Sequence, residues 1–145
     1  MNRSWRKISL SVLLLLPLCC GLAAAQDAAG NWVTEGGKSV VRISPCGNAM
    51  CGKIVSLREP NDATGKAKLD DKNQDTTKRS RPLIGVSILN GMQRDREDRW
   101  AGDIYNPEDG KIYKAYMTLT GPRQLLVEGC VLGGLLCKKQ RWSRQ

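Results

Sequence analysis

The chain has 145 residues, with 23 lysines and arginines against 14 aspartates and glutamates, so its formal net charge is +9 at pH 7. It contains no histidine, which excludes a Ser-His or Cys-His catalytic pair and removes the most common metal ligand. This length is enough for one domain but not for two.

The N-terminus has the pattern of a secretory signal peptide. Arg3, Arg6 and Lys7 precede an uncharged apolar run over residues 8–22, and three alanines at 23–25 supply the small residues of a cleavage site. The run is shorter than the ~20 residues of a comfortable membrane span. We therefore expect a signal peptide over residues 1–25 and no membrane span.

The expected mature domain, residues 26–145, keeps 20 basic and 14 acidic residues. It has four cysteines, and an even number in an exported chain predicts disulfides. Of the three possible pairings we favour the local one, because each pair flanks its own turn: Cys46 with Cys51, and Cys130 with Cys137. The spacings are too wide for a zinc knuckle, so no metal is expected. Export predicts a periplasmic or secreted protein that does not meet nucleic acid.

The first elements along the chain have the period of strands. Residues 30–34 are predicted to form a short strand that stops at Gly36 and Gly37. In residues 38–57, apolar and polar side chains alternate on both sides of a turn that contains Pro45 and Gly47. This segment is predicted to be a hairpin clamped by the first cysteine pair.

Residues 60–82 are rich in charge and contain one leucine, so they are predicted to be a long surface loop. Asp71, Asn73 and Asp75 have the spacing at which a calcium loop begins, but the glycine and the glutamate that complete such a loop are missing. We expect instead that Asp70, Asn73 and Asp75 cap turns in this loop. They would pair with nearby cations and so fix the loop across one mouth of the domain: Lys78, Arg79 and Arg81.

Five further strands are expected in the rest of the chain. Residues 83–89 return to the core, Asn90 and Gly91 end that strand, and residues 92–99 form a polar connector. Two hairpins follow, over 99–119 and 124–144, with turn residues at each reversal. Together with a short first strand and the clamped hairpin, this makes eight strand candidates and no segment with a helical period.

The predicted fold class is therefore all-β, a single antiparallel up-and-down barrel of about eight strands, because short turns between consecutive strands favour a meander that closes and removes its edges. A two-sheet sandwich is the competing arrangement. The barrel is expected to fill residues 26–145.

Two resemblances support the barrel. A Gly30-x-Trp32 motif in the first strand and a late arginine are similar to the lipocalin or calycin barrels, where such a tryptophan closes one end and the arginine stacks across it. The matching residues would be Trp32 with Arg144, or alternatively Arg141. Over the whole mature chain, motifs such as GNWVTEGGKSVVRISPCGNAMCGKIV and WAGDIYNPEDGKIYKAYMTL resemble a bacterial family of exported domains of unknown function, which implies a lipocalin-like fold.

Four aromatic residues on the strands are candidates for lining a ligand cavity, and they could equally be cross-strand core: Trp100, Tyr105, Tyr113 and Tyr116. Glu108 and Asp109 could be paired carboxylates for acid/base chemistry, but a tight turn also needs such residues. No catalytic residue and no cofactor are therefore predicted.

A basic surface is expected near the C-terminus, formed by Lys138, Lys139 and Arg141. It is either a solvated face or a patch that meets an anionic component of the cell envelope. From these features and the resemblance we expect an exported, non-catalytic protein that binds a small apolar or amphipathic ligand. The alternative is a structural or interaction module with a filled barrel and a basic docking surface.

Overall fold

The computed structural model describes residues 27–145, and in this range eight antiparallel strands form a closed barrel in which each strand pairs with its neighbours in the chain and the last pairs with the first. The predicted all-β barrel is confirmed, while the predicted signal peptide lies outside the described residues. The strands are β1 Gly30–Val33, β2 Ser39–Cys46, β3 Ala49–Leu57, β4 Ser87–Arg96, β5 Arg99–Asn106, β6 Lys111–Gly121, β7 Gln124–Val131 and β8 Leu136–Arg144.

The two ends of the barrel are built differently. The closed end carries the first described residues, the C-terminus and three tight turns, and the interior above it is packed with large side chains, which are all buried: Trp32, Met92, Trp100, Met117, Leu125 and Trp142. The open end carries the 3-10 turn Glu35–Gly37, the long segment 58–86, the β5–β6 turn and the β7–β8 connection. Alternation along each strand puts one set of side chains inside.

Arg144 and Trp32 come together at the closed end, as the resemblance implied. The Arg144 guanidinium lies 4.3 Å from the centre of the Trp32 ring. It also donates hydrogen bonds to the carbonyl oxygens of Ala29 at 2.6 Å, Asp27 at 2.9 Å and Pro122 at 3.0 Å. The stack is thus held by bonds that tie the N-terminal segment and the β6–β7 turn to the last strand.

Gly30 explains the first position of the Gly-x-Trp motif. Its φ is +133°, which side-chain-bearing residues rarely adopt, and a Cβ built there would lie 2.8 Å from Arg144 Nη1. A larger residue would displace the guanidinium from the tryptophan ring. The indole Nε1 of Trp32 donates to the Ala28 carbonyl at 2.8 Å, so the buried ring is also satisfied.

Both predicted disulfides are present, and they lie at opposite ends of the barrel. Cys46 and Cys51 join across the β2–β3 turn with an S–S distance of 2.01 Å, and Cys130 and Cys137 join β7 to β8 at 2.03 Å. Two disulfides in one small domain indicate an oxidising compartment outside the cytoplasm. Within residues 27–145, no helix has the length and apolar character needed to cross a membrane.

The predicted boundaries of the fourth strand are wrong. Residues 83–86 form a turn, and β4 begins at Ser87, passes through Asn90 and Gly91, and continues to Arg96. Gly91 has a φ of +58° and lies where the β4–β5 register shifts, so it forms a bulge instead of ending the strand. Residues 93–96 are exposed, which is why a true strand has the composition of a polar connector.

Candidate functional site

The interior of the open end is hollow, with a cavity of about 960 Å³. Its walls expose more apolar than polar surface, and buried Trp142 is among the lining residues. A cavity of this size and character can hold a small apolar or amphipathic molecule. The apolar lining comes from several strands and from the long segment: Ile54, Leu57, Leu83, Ile88, Ile104 and Val127.

Small and polar residues at the inward positions of β7 and β8 leave this half of the barrel empty. In the β7–β8 ladder, Leu125 pairs with Trp142 near the closed end, Val127 pairs with Gln140, and Gly129 pairs with Lys138 toward the open end. Gly129 adds no side chain to the interior. The nearest side-chain atom that a Cβ there would meet belongs to Ile104, at 3.4 Å, so the position has room for a larger residue.

The long segment 58–86 forms one side of the open end and is anchored there by a buried carboxylate. Asp70 is 0% exposed. It accepts a hydrogen bond from the Tyr105 hydroxyl on β5, one from Asn73 Nδ2 at 2.8 Å, and two from Arg81, by Nε at 2.9 Å and Nη2 at 2.8 Å. The charged segment therefore does bury a polar cluster, which its composition did not indicate.

The anchor perturbs the titration of both residues that it joins. Burial by itself raises the pKa of Asp70, but the hydrogen bonds from Tyr105, Asn73 and Arg81 together outweigh burial and hold the pKa below its ordinary value. Burial, and then the hydrogen bond to the Asp70 carboxylate, raises the pKa of Tyr105 to about 12. The cluster is thus stable with Asp70 charged and Tyr105 neutral.

The expected capping interactions of the long segment are present. Asp75 accepts from the Thr77 amide at 3.1 Å and pairs with Lys78 at 3.1 Å, and bonds from these two residues lower the pKa of Asp75 to about 2. Asn73 Oδ1 accepts from the Asp75 amide at 2.9 Å, and the Asn73 carbonyl accepts from Arg79 Nε at 2.7 Å. Asn73 and Asp75, two of the three residues with calcium-like spacing, are therefore engaged in local bonds. Residues 27–145 contain no cluster of three or more acidic or cysteine side chains arranged to hold a metal.

The four candidate aromatic residues do not share one site. Tyr105 and Tyr113 line the cavity, and their hydroxyls donate to Asp70 and Asp109 respectively. Trp100 is inside the barrel near the closed end, and Tyr116 does not line the cavity. Each of these two rings is covered by an arginine guanidinium, at 4.5 Å for Trp100 and 4.0 Å for Tyr116.

The predicted basic surface is divided between the two faces of β8. Lys138 lines the cavity, whereas Lys139 and Arg141 alternate with it and belong to the outer face. Lys139 pairs with Glu128 at 3.1 Å, and the Arg141 amide donates to Glu35 Oε1 at 3.4 Å. These three cationic residues of one strand therefore do not form one patch.

The carboxylates of the β5–β6 turn lie at the rim of the cavity and are engaged there. Glu108 pairs with Lys38 at 3.5 Å, and Asp109 accepts from the Tyr113 hydroxyl. Partial burial raises the pKa of Asp109, but the hydrogen bonds from Tyr113, the Lys111 amide and Asn106 together outweigh it, and the pKa of Asp109 is lowered. A lowered pKa keeps this carboxylate charged and makes it a poor general acid near neutral pH.

Sequence reasoning missed Gly129, Gln140 and Lys138 as cavity-lining residues, although Lys138 is also exposed. The alternation of β8 could have found them, since Trp142, Gln140 and Lys138 are two positions apart and share one face. That inference needs the buried tryptophan as the reference for which face is inside.

Comparisons with known proteins agree with this architecture. The model of a bacterial family described as "Uncharacterized protein conserved in bacteria (DUF2147)" matches residues 30–144. Among solved structures, protein HP1028 of Helicobacter pylori, described as belonging to the lipocalin family, is similar with a TM-score of 0.72 and 22% identity, over 82% of this chain and 83% of that one. No curated protein matched the chain.

Proposed function

The chain belongs to the bacterial family DUF2147, and from the barrel and the cavity at its open end we propose that it is an exported, non-catalytic protein that binds a small apolar or amphipathic ligand. The cavity of about 960 Å³ is the observation that carries this proposal. Ligand pockets in proteins are typically about 300–1,000 Å³, concave and mainly apolar, and an eight-stranded barrel can hold one such molecule.

The chemistry of the lining supports binding without catalysis. The chain has no histidine, and the carboxylates nearest to the cavity are engaged in bonds at the rim. Aliphatic side chains from four strands and the buried indole of Trp142 form a surface that gains free energy when an apolar group displaces water from it.

The proposal is tested first on the protein purified from its own envelope, by mass spectrometry under native conditions. We expect a mass above that of the polypeptide, and uptake of fatty acids or similar amphiphiles by the emptied protein. A bare polypeptide mass together with no uptake of any amphiphile would contradict the proposal.

A cavity-filling variant tests where such a ligand binds. Gly129→Leu places a side chain inside the open half, and Gly121→Leu on β6 is the matched control, because a Cβ there meets nothing within 4 Å. We expect Gly129→Leu to weaken amphiphile binding by at least about tenfold, since the leucine occupies ligand volume. Equal affinities in the two variants, with native circular dichroism in both, would place the ligand outside the cavity.

A second candidate function, docking of an envelope partner, draws support from the β7–β8 connection. Leu132, Leu135 and Leu136 are 73%, 88% and 63% exposed there, beside the cavity mouth. Such an apolar tip on a small domain is a candidate interaction site. Crosslinking in cells should then trap a defined partner, and Leu135→Asp should abolish the crosslink without changing amphiphile binding.

A further inference from the structure

Lys138 is the feature of the cavity that identifies the chemistry of a ligand head group. It lies on β8 with its side chain in the cavity lining, two residues from Gln140 and four from Trp142 on the same face. Its cross-strand neighbour on β7 is Gly129, which has no side chain to cover the amine. Lys138 is itself exposed, so its ammonium group is open to solvent at the mouth of the apolar cavity.

The other cations around the cavity lie on the rim and already have partners. Lys38 pairs with Glu108 at 3.5 Å, and Lys68 pairs with Glu59 at 3.5 Å. Arg58 donates to a backbone carbonyl at 2.9 Å. In contrast, the side chain of Lys138 has neither an ion pair nor a hydrogen bond within residues 27–145.

The two remaining rim carboxylates each accept a hydrogen bond from a neutral donor, and neither forms an ion pair with Lys138. Asp109 accepts from the Tyr113 hydroxyl, and Glu35 accepts from the backbone amide of Arg141 at 3.4 Å. Inside a cleft with apolar walls the attraction between opposite charges is stronger than on an open surface. The unpaired amine therefore favours an anion that enters with an apolar tail.

We infer that the ligand is an anionic amphiphile, whose apolar part occupies the apolar interior of the open end and whose acidic head group pairs with Lys138. This inference rests on the proposed binding function. It specifies the charge of the ligand head group: an acid is preferred over a neutral or cationic molecule with the same tail.

Two probes of equal tail length separate the contribution of the head group to binding from that of the tail. Binding of dodecanoate and of dodecanol to the mature chain is measured by calorimetry at neutral pH, with the unchanged protein, Lys138→Met and the control Lys139→Met. Methionine keeps most of the side-chain volume and removes the charge. The control removes a charge from the adjacent position, which lies on the outer face.

We expect the unchanged protein and Lys139→Met to bind dodecanoate about tenfold more tightly than dodecanol, which is the typical strength of one charge-assisted hydrogen bond. Lys138→Met should bind both probes equally, with its dodecanol affinity unchanged. Added salt should weaken the binding of dodecanoate only.

Three results would overturn the inference, and they differ from a failure of the binding function. If dodecanol binds as well as dodecanoate to the unchanged protein, or if Lys138→Met keeps the preference for the acid, the head-group site is wrong and the cavity function stands. If neither probe binds the unchanged protein, both proposals fail.

Discussion

Replacing Asp70 by asparagine tests whether one buried carboxylate holds the long segment against the barrel. The asparagine side chain has the same shape, but it is neutral and presents an amide group where a second acceptor oxygen was. The amide nitrogen would face either the Tyr105 hydroxyl, which bonds to Oδ1, or the donors of Asn73 and Arg81, which bond to Oδ2. In both orientations the Arg81 guanidinium would lose its ion-pair partner.

The expected loss of stability is about 3 kcal/mol, the lower end of the range for removing one partner of a buried charged pair. Small domains are stable by about 5–15 kcal/mol, so the loss is a large fraction of the total. In urea, with a slope of about 2 kcal/mol/M, the midpoint should move down by about 1–2 M.

Asp71→Asn is the matched control, because Asp71 is adjacent, exposed and without a hydrogen bond or ion pair inside residues 27–145. Urea unfolding of the two variants, followed by circular dichroism and tryptophan fluorescence, gives the comparison. If Asp70→Asn and Asp71→Asn unfold at the same urea concentration, the anchor does not contribute as the geometry implies.

The difference between Asp70→Asn and the unchanged protein should also depend on pH. The pKa of Asp70 is lowered from its ordinary value of 3.8, because hydrogen bonds to the charged form outweigh burial. A lowered pKa stabilises the folded state above pH 3.8, and this contribution is lost as the pH falls through the folded value. The difference in stability between Asp70→Asn and the unchanged protein should thus be constant near neutral pH and should decrease in acid. A difference that stays constant down to the acid limit would refute this reasoning.

Three further changes have defined outcomes. Tyr105→Phe should cost about 2 kcal/mol in urea unfolding, because Asp70 loses a hydrogen bond, while Tyr116→Phe should cost almost nothing; equal losses would contradict this. Since the pKa of Tyr105 is raised from 10.0 to about 12, its contribution should persist below pH 10 and disappear as the pH rises to about 12, as alkaline unfolding can measure. Removing the Cys46–Cys51 bridge by double serine substitution should cost about 2 kcal/mol and leave amphiphile affinity unchanged, because the bridge lies at the closed end; a parallel loss of affinity would show that the two ends are coupled. Arg144→Lys should lower the thermal midpoint by several degrees, about 1–2 kcal/mol, because lysine cannot stack as a plane and bond several carbonyls at once; an unchanged midpoint would mean that the stack is not needed.

Much of the fold follows from local patterns. The alternation in β2 and β3, the turn residues and the spacing of Cys46 and Cys51 predicted a clamped hairpin, and the structure confirms it. These features are local, since a two-residue period and a short loop between cysteines need no information from distant parts of the chain. The fourth strand was misplaced because residues 93–96 are exposed and their polar composition conceals a strand that a bulge at Gly91 continues.

The sequence alone predicted the strand order, the antiparallel turns and, as the favoured pairing, the two local disulfides. Only the tertiary structure decided which face of β8 is inside, because Lys138, Lys139 and Arg141 are basic on both faces and composition offers no contrast between them. The cavity volume also depends on the tertiary structure. It is the space left between side chains of the barrel strands and the segment anchored by Asp70. A volume enclosed by distant parts of the chain is not a property of any one segment.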